Sequence, residues 1–267
     1  MLITSTGNPR IKQIRALSNR KNRSQAGLYF IEGIRLVGEA VELNADIDTL
    51  VTAPELLHSV FGREVVAEAA KAGIPTLEVT PYVFRHLSGK DGPQGLAAVV
   101  RQQWEPLESA EAGVAMGWVL LEKIRNPGNL GTILRTCDAV GCAGVILLGD
   151  TADPYDNAAV RGAMGAHFSQ RLVRTDLKSF AAWKKSRSLT MIGTSDAATS
   201  DYQEITYHQP VILCMGDEQH GLSDDHTALC NEMVRIPMVG RSDSLNLAVA
   251  TAVILYEIFN QHRRHGC

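Results

Sequence analysis

The chain has no uncharged apolar run approaching the ~18 residues that a membrane-spanning helix needs, so no membrane role is expected. Its opening stretch, Met1 to Arg15, carries charges and no long apolar block, which argues against a secretory signal. Cysteine is sparse: Cys137, Cys142, Cys214, Cys230 and Cys267 are odd in number and form no Cys-x-x-Cys pair. A disulfide framework is therefore not expected, and reduced, buried thiols in a cytoplasmic protein are. There is no His-Glu-x-x-His, the eight histidines are scattered, and no metal site is expected. A Gly-x-Gly-x-x-Gly after the first strand of the larger domain, a Gly-x-x-x-x-Gly-Lys-Ser/Thr loop and a Gly-x-Ser-x-Gly elbow are all missing. These absences speak against a dinucleotide fold, a phosphate-loop nucleotidase and an α/β-hydrolase.

What the chain has is an uneven charge. The total over 267 residues is −3, but residues 1–35 hold seven cations against Glu32, a net +6, and leave −9 for the rest. Arg10, Lys12, Arg20, Lys21, Arg23 and Arg35 are candidate contacts to a nucleic-acid phosphate backbone. The same charges also suit a solvated helix face, and charge alone does not choose. Residues 9–23 are expected to form one basic helix. Alternating short strands and helices then run to Val100, as a small α/β domain over residues 1–104. A hydrophilic stretch from Gln102 to Gly113 is the expected linker. Beyond it, over 113–267, apolar strands at 115–121, 144–148, 189–194, 211–215 and 233–236 alternate with helices. Such alternation predicts a parallel sheet covered on both faces. The last helix, 245–260, is apolar nearly all round and should be buried in the core or against a second copy.

Three stretches stand where strands give way to loops. Asn126-Pro127-Gly128-Asn129-Leu130-Gly131 opens a helix bearing Arg135, so unpaired N–H groups there offer a seat for an anion. Arg135 falls one turn after Gly131, which should leave the guanidinium approachable. Gly216-Asp217-Glu218-Gln219-His220-Gly221-Leu222-Ser223 follows the strand at 211–215. Gly216 and Gly221 permit tight turning, and Glu218 is a loop acid suited to accepting hydrogen bonds. Ser244-Leu245-Asn246 follows the strand at 233–236, and Ser244 is a candidate cap for the last helix. Ligands of parallel α/β sheets gather at the carboxyl ends of strands, so the three loops are candidates to share one site. These features do not name the reaction.

The three stretches, with Ile236-Pro237-Met238 before the third, resemble in order and spacing the motifs of the SpoU (TrmH-type) RNA ribose 2′-O-methyltransferases. Asn8-Pro9-Arg10, Gly27-Leu28-Tyr29-Phe30 and Gln94-Gly95-Leu96-Ala97 are similar to the substrate-binding domain of many members. The resemblance implies a trefoil-knotted, parallel-sheet SPOUT methyltransferase domain preceded by a small α/β, ribosomal-protein-like RNA-binding domain. It implies S-adenosylmethionine as cofactor, held by Gly216, Gly221, Ile236, Met238 and Leu245. It implies a catalytic face of Asn126, Arg135, Glu218, Ser244 and Asn246, and a homodimer. Family accounts make the arginine a general base; Arg135 as a phosphate clamp is the other reading, since a guanidinium stays protonated below pH ~12. The separate N-terminal domain favours ribosomal over transfer RNA. A non-catalytic RNA-binding or ribosome-assembly protein is the rival from another class. At Ala163 the family often has serine, a departure that bears on a local hydrogen bond.

Overall fold

A computed structural model describes residues 2–89, 91–111, 116–208, 210–242 and 244–265. The chain divides into two compact units, Met1–Gln102 with Tyr155–Val160, and Gln103–Pro154 with Arg161–Cys267.

The first unit contains α1 (Pro9–Ala16), α2 (Arg20–Ala26), β1 (Leu28–Glu32), α3 (Ile34–Glu42), β2 (Ile47–Thr52), α4 (Val60–Lys71), β3 (Thr76–Glu78), α5 (Pro81–Leu87) and β4 (Leu96–Arg101). The sheet order is β1-β4-β2-β3, with β4 antiparallel to both β1 and β2, and β3 parallel to β2. Ile11 and Ile14 of α1, with Leu17 at its C-terminal cap, bury against Val51, Val99, Val83 and Phe84. The basic helix expected over 9–23 is instead two helices. Asn8 caps α1 ahead of Pro9, and Asn19 restarts the chain as α2 by accepting the Lys21 N–H at 2.9 Å. The Arg23 side chain fills the break between them. It donates to the carbonyls of Leu17 and Ser18, each at 2.9 Å, where α1 leaves acceptors unpaired. It also pairs with Asp156 at 3.2 Å. Arg23 is only 2% exposed, so its expectation as an RNA contact is corrected: the break in the helix consumes its donors. Arg10, Lys12, Arg20, Lys21 and Arg35 are exposed.

The second unit contains β5 (Gly117–Glu122), α6 (Pro127–Val140), β6 (Gly144–Leu148), α7 (Asn157–Ala163, which begins in the first unit), β7 (Arg171–Thr175), α8 (Leu177–Arg187), β8 (Thr190–Thr194), β9 (Ser200–Asp201), β10 (Val211–Met215), α9 (Asp224–Thr227), β11 (Glu232–Arg235) and α10 (Leu247–His265). Its sheet is parallel throughout, in the order β7-β6-β5-β10-β8-β11-β9. Trp118, Leu120, Ile146 and Ile212 pack with Phe180 and Trp183 of α8. α6 packs against α10. Ile254, Leu255 and Ile258 of α10 are buried, but Val249 and Tyr256 are 48% and 46% exposed, so one face of this helix is open.

The strand β7 was not anticipated. Its sequence, Arg171-Leu-Val-Arg-Thr, mixes charge into an outer strand whose arginines are satisfied by the expected linker. Arg171 forms a two-pronged pair with Glu105, and Arg174 lies 4.0 Å from the Trp104 ring centre. Leu107 and Ala110 are buried, so 103–111 belongs to the second unit's packed structure; Ala112 to Ala115 lie outside the described residues. Cys137, Cys142 and Cys214 are buried and Cys230 is half-buried, all as free thiols. No described helix is long and apolar enough to cross a membrane, and the described residues hold no metal-ligating cluster.

Candidate active site

The loops after β5, β10 and β11 line one cleft of about 1340 Å³ at the carboxyl edge of the sheet. A fourth loop, Thr194–Ser195–Asp196 after β8, completes the wall and was not foreseen.

The first loop begins α6. The Asn126 side-chain oxygen accepts the N–H of Gly128 at 2.8 Å and of Asn129 at 3.3 Å, and Pro127 has none to offer. The anion seat expected here is thus filled by the protein's own cap. Gly131 is also not an open approach to Arg135. It is buried against α7, where a Cβ on Gly162 would lie 3.3 Å from the Gly131 Cα. Arg135 stands on the exposed side of α6, outside the cleft lining and without a partner among the described residues.

The second loop folds on itself. Asp217 and Gly221 exchange two backbone hydrogen bonds at 3.0 Å. A Cβ at Gly216 would lie 2.2 Å from Gly221 backbone atoms, and Gly221 has φ +68°, so both glycines are required by the turn. Burial alone would raise the Asp217 carboxyl. The Gln219 N–H at 2.9 Å, the His220 ring at 3.0 Å, the His220 N–H at 3.1 Å and Arg125 Nε at 3.3 Å outweigh it and hold the carboxyl below its usual range.

Glu218 faces the first loop. It accepts the Arg125 N–H at 3.3 Å and the Asn129 side-chain amide at 3.2 Å. Asn129 in turn accepts from the Asn246 amide at 3.1 Å. The Asn246 oxygen accepts the N–H of Ala248 at 3.0 Å and of Val249 at 3.4 Å, so Asn246 caps α10, the role suggested for Ser244. Ser244 and Leu245 are exposed at the cleft, as is Met238, with Ile236 half-buried. Asn126, Glu218, Ser244 and Asn246 are therefore brought together, and Arg135 is set apart. Asn129 and Arg125 join the site although sequence reasoning did not single them out. The polar residue at the third position of a capped helix was the available signal for Asn129.

Behind the second loop lies a buried polar cluster. Glu122, at the end of β5 and 3% exposed, accepts the Ser223 N–H at 3.1 Å and lies 3.0 Å from His226 Nδ1. His226 Nδ1 is also 2.7 Å from the Ser223 hydroxyl, and burial lowers its pKa while Glu122 opposes the shift.

The SpoU rRNA methylase family model matches residues 117–256, the part of the chain that carries all of these loops. The chain belongs to this family. A second model, the MRM3-like substrate binding domain, matches residues 8–98. The chain is 32% identical to the 23S rRNA (uridine(2479)-2′-O)-methyltransferase of Streptomyces viridochromogenes, over 95% of this chain and 90% of that one. It is 36% identical to the tRNA (guanosine(18)-2′-O)-methyltransferase of Thermus thermophilus, over 55% of this chain and 76% of that one. Among solved structures, the AdoMet-bound rRNA methyltransferase from Sinorhizobium meliloti superposes with TM-score 0.88 at 37% identity, covering 100% of this chain and 98% of that one. S-adenosylmethionine is the cofactor of the SpoU family, and this SpoU chain has the family's mixed α/β fold and N-terminal substrate-binding domain.

Proposed function

We propose that this SpoU-family chain transfers the methyl group of S-adenosylmethionine to a ribose 2′-hydroxyl of RNA, with ribosomal RNA as the substrate. The observation that carries the reading is the direct side-chain link Glu218–Asn129–Asn246, which ties three strand-end loops into one polar wall.

The cleft fits the cofactor. Met215, Leu222, Ile236, Met238 and Leu245 give it an apolar lining suited to adenine. Described residues from Ile236 to Arg241 make no loop backbone–backbone hydrogen bond to another described residue, so amides and carbonyls there can meet a ligand's polar edges. Gly216 brings backbone where a side chain would not fit. Bound there, S-adenosylmethionine supplies an electrophilic methyl carbon. The protein must orient a 2′-hydroxyl to ~3 Å and favour its oxygen as the proton leaves. Glu218, an acceptor fixed by Arg125 and Asn129, stands on the wall where that hydroxyl arrives. Arg135, exposed, unpaired among the described residues and outside the cleft lining, serves as a clamp for a neighbouring phosphate of the RNA. Asn126 and Asn246 hold the helix starts, and Ser244 is exposed beside them at the cleft. Only RNA has the 2′-hydroxyl, so DNA is not a substrate.

Ribosomal RNA is favoured because the ribosomal-RNA relative aligns over 95% of the chain, whereas the transfer-RNA relative covers 55% of it. The open face of α10, with Val249 and Tyr256, supports a homodimer. The insertion of β10 between β5 and β8 supports the family's trefoil knot. A cytoplasmic location follows from the substrate. The test is methyl transfer to unmodified ribosomal and transfer RNA transcripts in parallel. Label in ribosomal RNA alone is expected; label in transfer RNA alone overturns the substrate assignment.

A further inference from the structure

A second cavity, of about 440 Å³, lies wholly within the first unit, between α1, α2 and the sheet. Its floor is apolar, built from Ile14, Leu17, Leu28 and Val99. Its rim is polar. Gln13 and Gln25 are exposed, and neither amide has a hydrogen-bond partner among the described residues. Asp48 stands on the rim with its carboxylate fixed by the Arg101 guanidinium and the Thr49 hydroxyl, both at 2.9 Å. The same two helices carry Lys12, Arg15, Arg20 and Lys21 on exposed positions.

We propose that this cavity receives one unpaired nucleobase of the RNA substrate while the surrounding cations hold its backbone, an inference that rests on the RNA reading above. A base has apolar faces and polar edges, and it arrives attached to a polyanion. The cavity presents an apolar floor, amides that can donate or accept, a fixed carboxylate acceptor, and a cationic surround. Its volume lies in the range of small-ligand sites and is too small for a helix groove. Arg10, the cation nearest the cavity, is turned to Thr49 at 3.2 Å and Asp48 at 3.9 Å, so the cavity itself is not built for phosphate. Unstacked bases read on their edges are the usual target of sequence-specific RNA recognition, and the two amides with Asp48 supply such contacts.

The experiment measures binding of the full chain to unmodified ribosomal and transfer RNA transcripts across a salt series. Ala26→Trp fills the cavity without altering charge, and the double variant Gln13→Ala, Gln25→Ala removes the amides. Each should weaken binding to the preferred RNA by about tenfold, within the cost of losing one base contact, and leave the salt slope unchanged. Lys21→Ala should instead lower the salt slope by about one phosphate contact. Circular dichroism spectra and melting temperatures matching the wild type in all three confirm that the variants are folded. The proposal is overturned if folded Ala26→Trp binds RNA like the wild type, or, should that variant misfold, if the amide-free variant does. A wrong substrate class shows in the wild-type comparison of the two RNAs; a wrong cavity shows in the ratio of variant to wild type. Wild type that binds neither RNA overturns both.

Discussion

Asn129 is the residue on which two other loops converge, since its oxygen accepts from Asn246 and its amide donates to Glu218. Asn129→Ala should cut methyl transfer by about 10²-fold, the scale of losing a preorganised polar group, with S-adenosylhomocysteine affinity changed far less. Comparable loss in both would mean that Asn129 only shapes the cofactor pocket. Arg135 gives the opposite signature. It is exposed, so Arg135→Ala should leave the melting temperature unchanged while lowering turnover about 10²-fold or more; near wild-type turnover would remove it from the site. Histidine sets the pH response. Burial pushes His167 down to about 4, against the pull of the Pro154 carbonyl, and His226 is lowered too. The unfolded chain then binds more protons than the folded one below the ordinary histidine value of ~6.5. Their stability contribution is full above that value and is lost as pH falls from there toward about 4 for His167. Melting temperature should fall over that window, and His167→Asn should flatten the fall; an unchanged slope would contradict the assignment. At this scale the sequence showed Asn126, Glu218 and Asn246 through their loops. It did not show that Arg23 turns inward, because that depends on a helix break at Ser18 and Asn19.

Strand-end loops are held from behind as well as from each other. Glu122 ties the end of β5 to the N–H of Ser223 and to His226, while Leu222 and Thr227 beside them line the cleft. Glu122→Ala should leave these donors unpaired inside the protein and weaken S-adenosylhomocysteine binding by about tenfold. Glu122→Gln keeps an acceptor for the Ser223 N–H and should fall between. Equal affinity in both variants and wild type would show that the second loop stands without this support. Elements with strong apolar signals were legible: β5, β6, β8 and β10 lie within a residue or two of the runs of Val, Leu and Ile that announced them. β7 was not, because two of its five residues are arginines whose partners, Glu105 and Trp104, sit in a stretch that composition marks as a linker. β9, with two residues, is too short for any period to register. The apolar spacing of the basic run at 9–23 ends at Leu17, and the polar residues beyond it gave no mark where one helix stops and the next begins.

On the scale of the whole molecule, charge and activity are carried by different parts of the sequence. The first 35 residues are strongly basic, whereas the strand-end loops carry Asp217 and Glu218. On the proposed reading, the basic stretch would hold RNA and the strand-end loops would act on it. The uneven charge was legible in the sequence; the self-satisfied start of α6 was not, since it depends on where the Asn126 oxygen points. The most direct measurement incubates the full chain with S-adenosylmethionine labelled in its methyl group and unmodified ribosomal RNA, then hydrolyses the RNA with alkali. A ribose 2′-O-methyl group blocks cleavage at its own 3′ phosphate, so the label should appear in alkali-resistant dinucleotides and be lost with Arg135→Ala. Label recovered in ordinary mononucleotides would place the methyl group on a base and contradict the account.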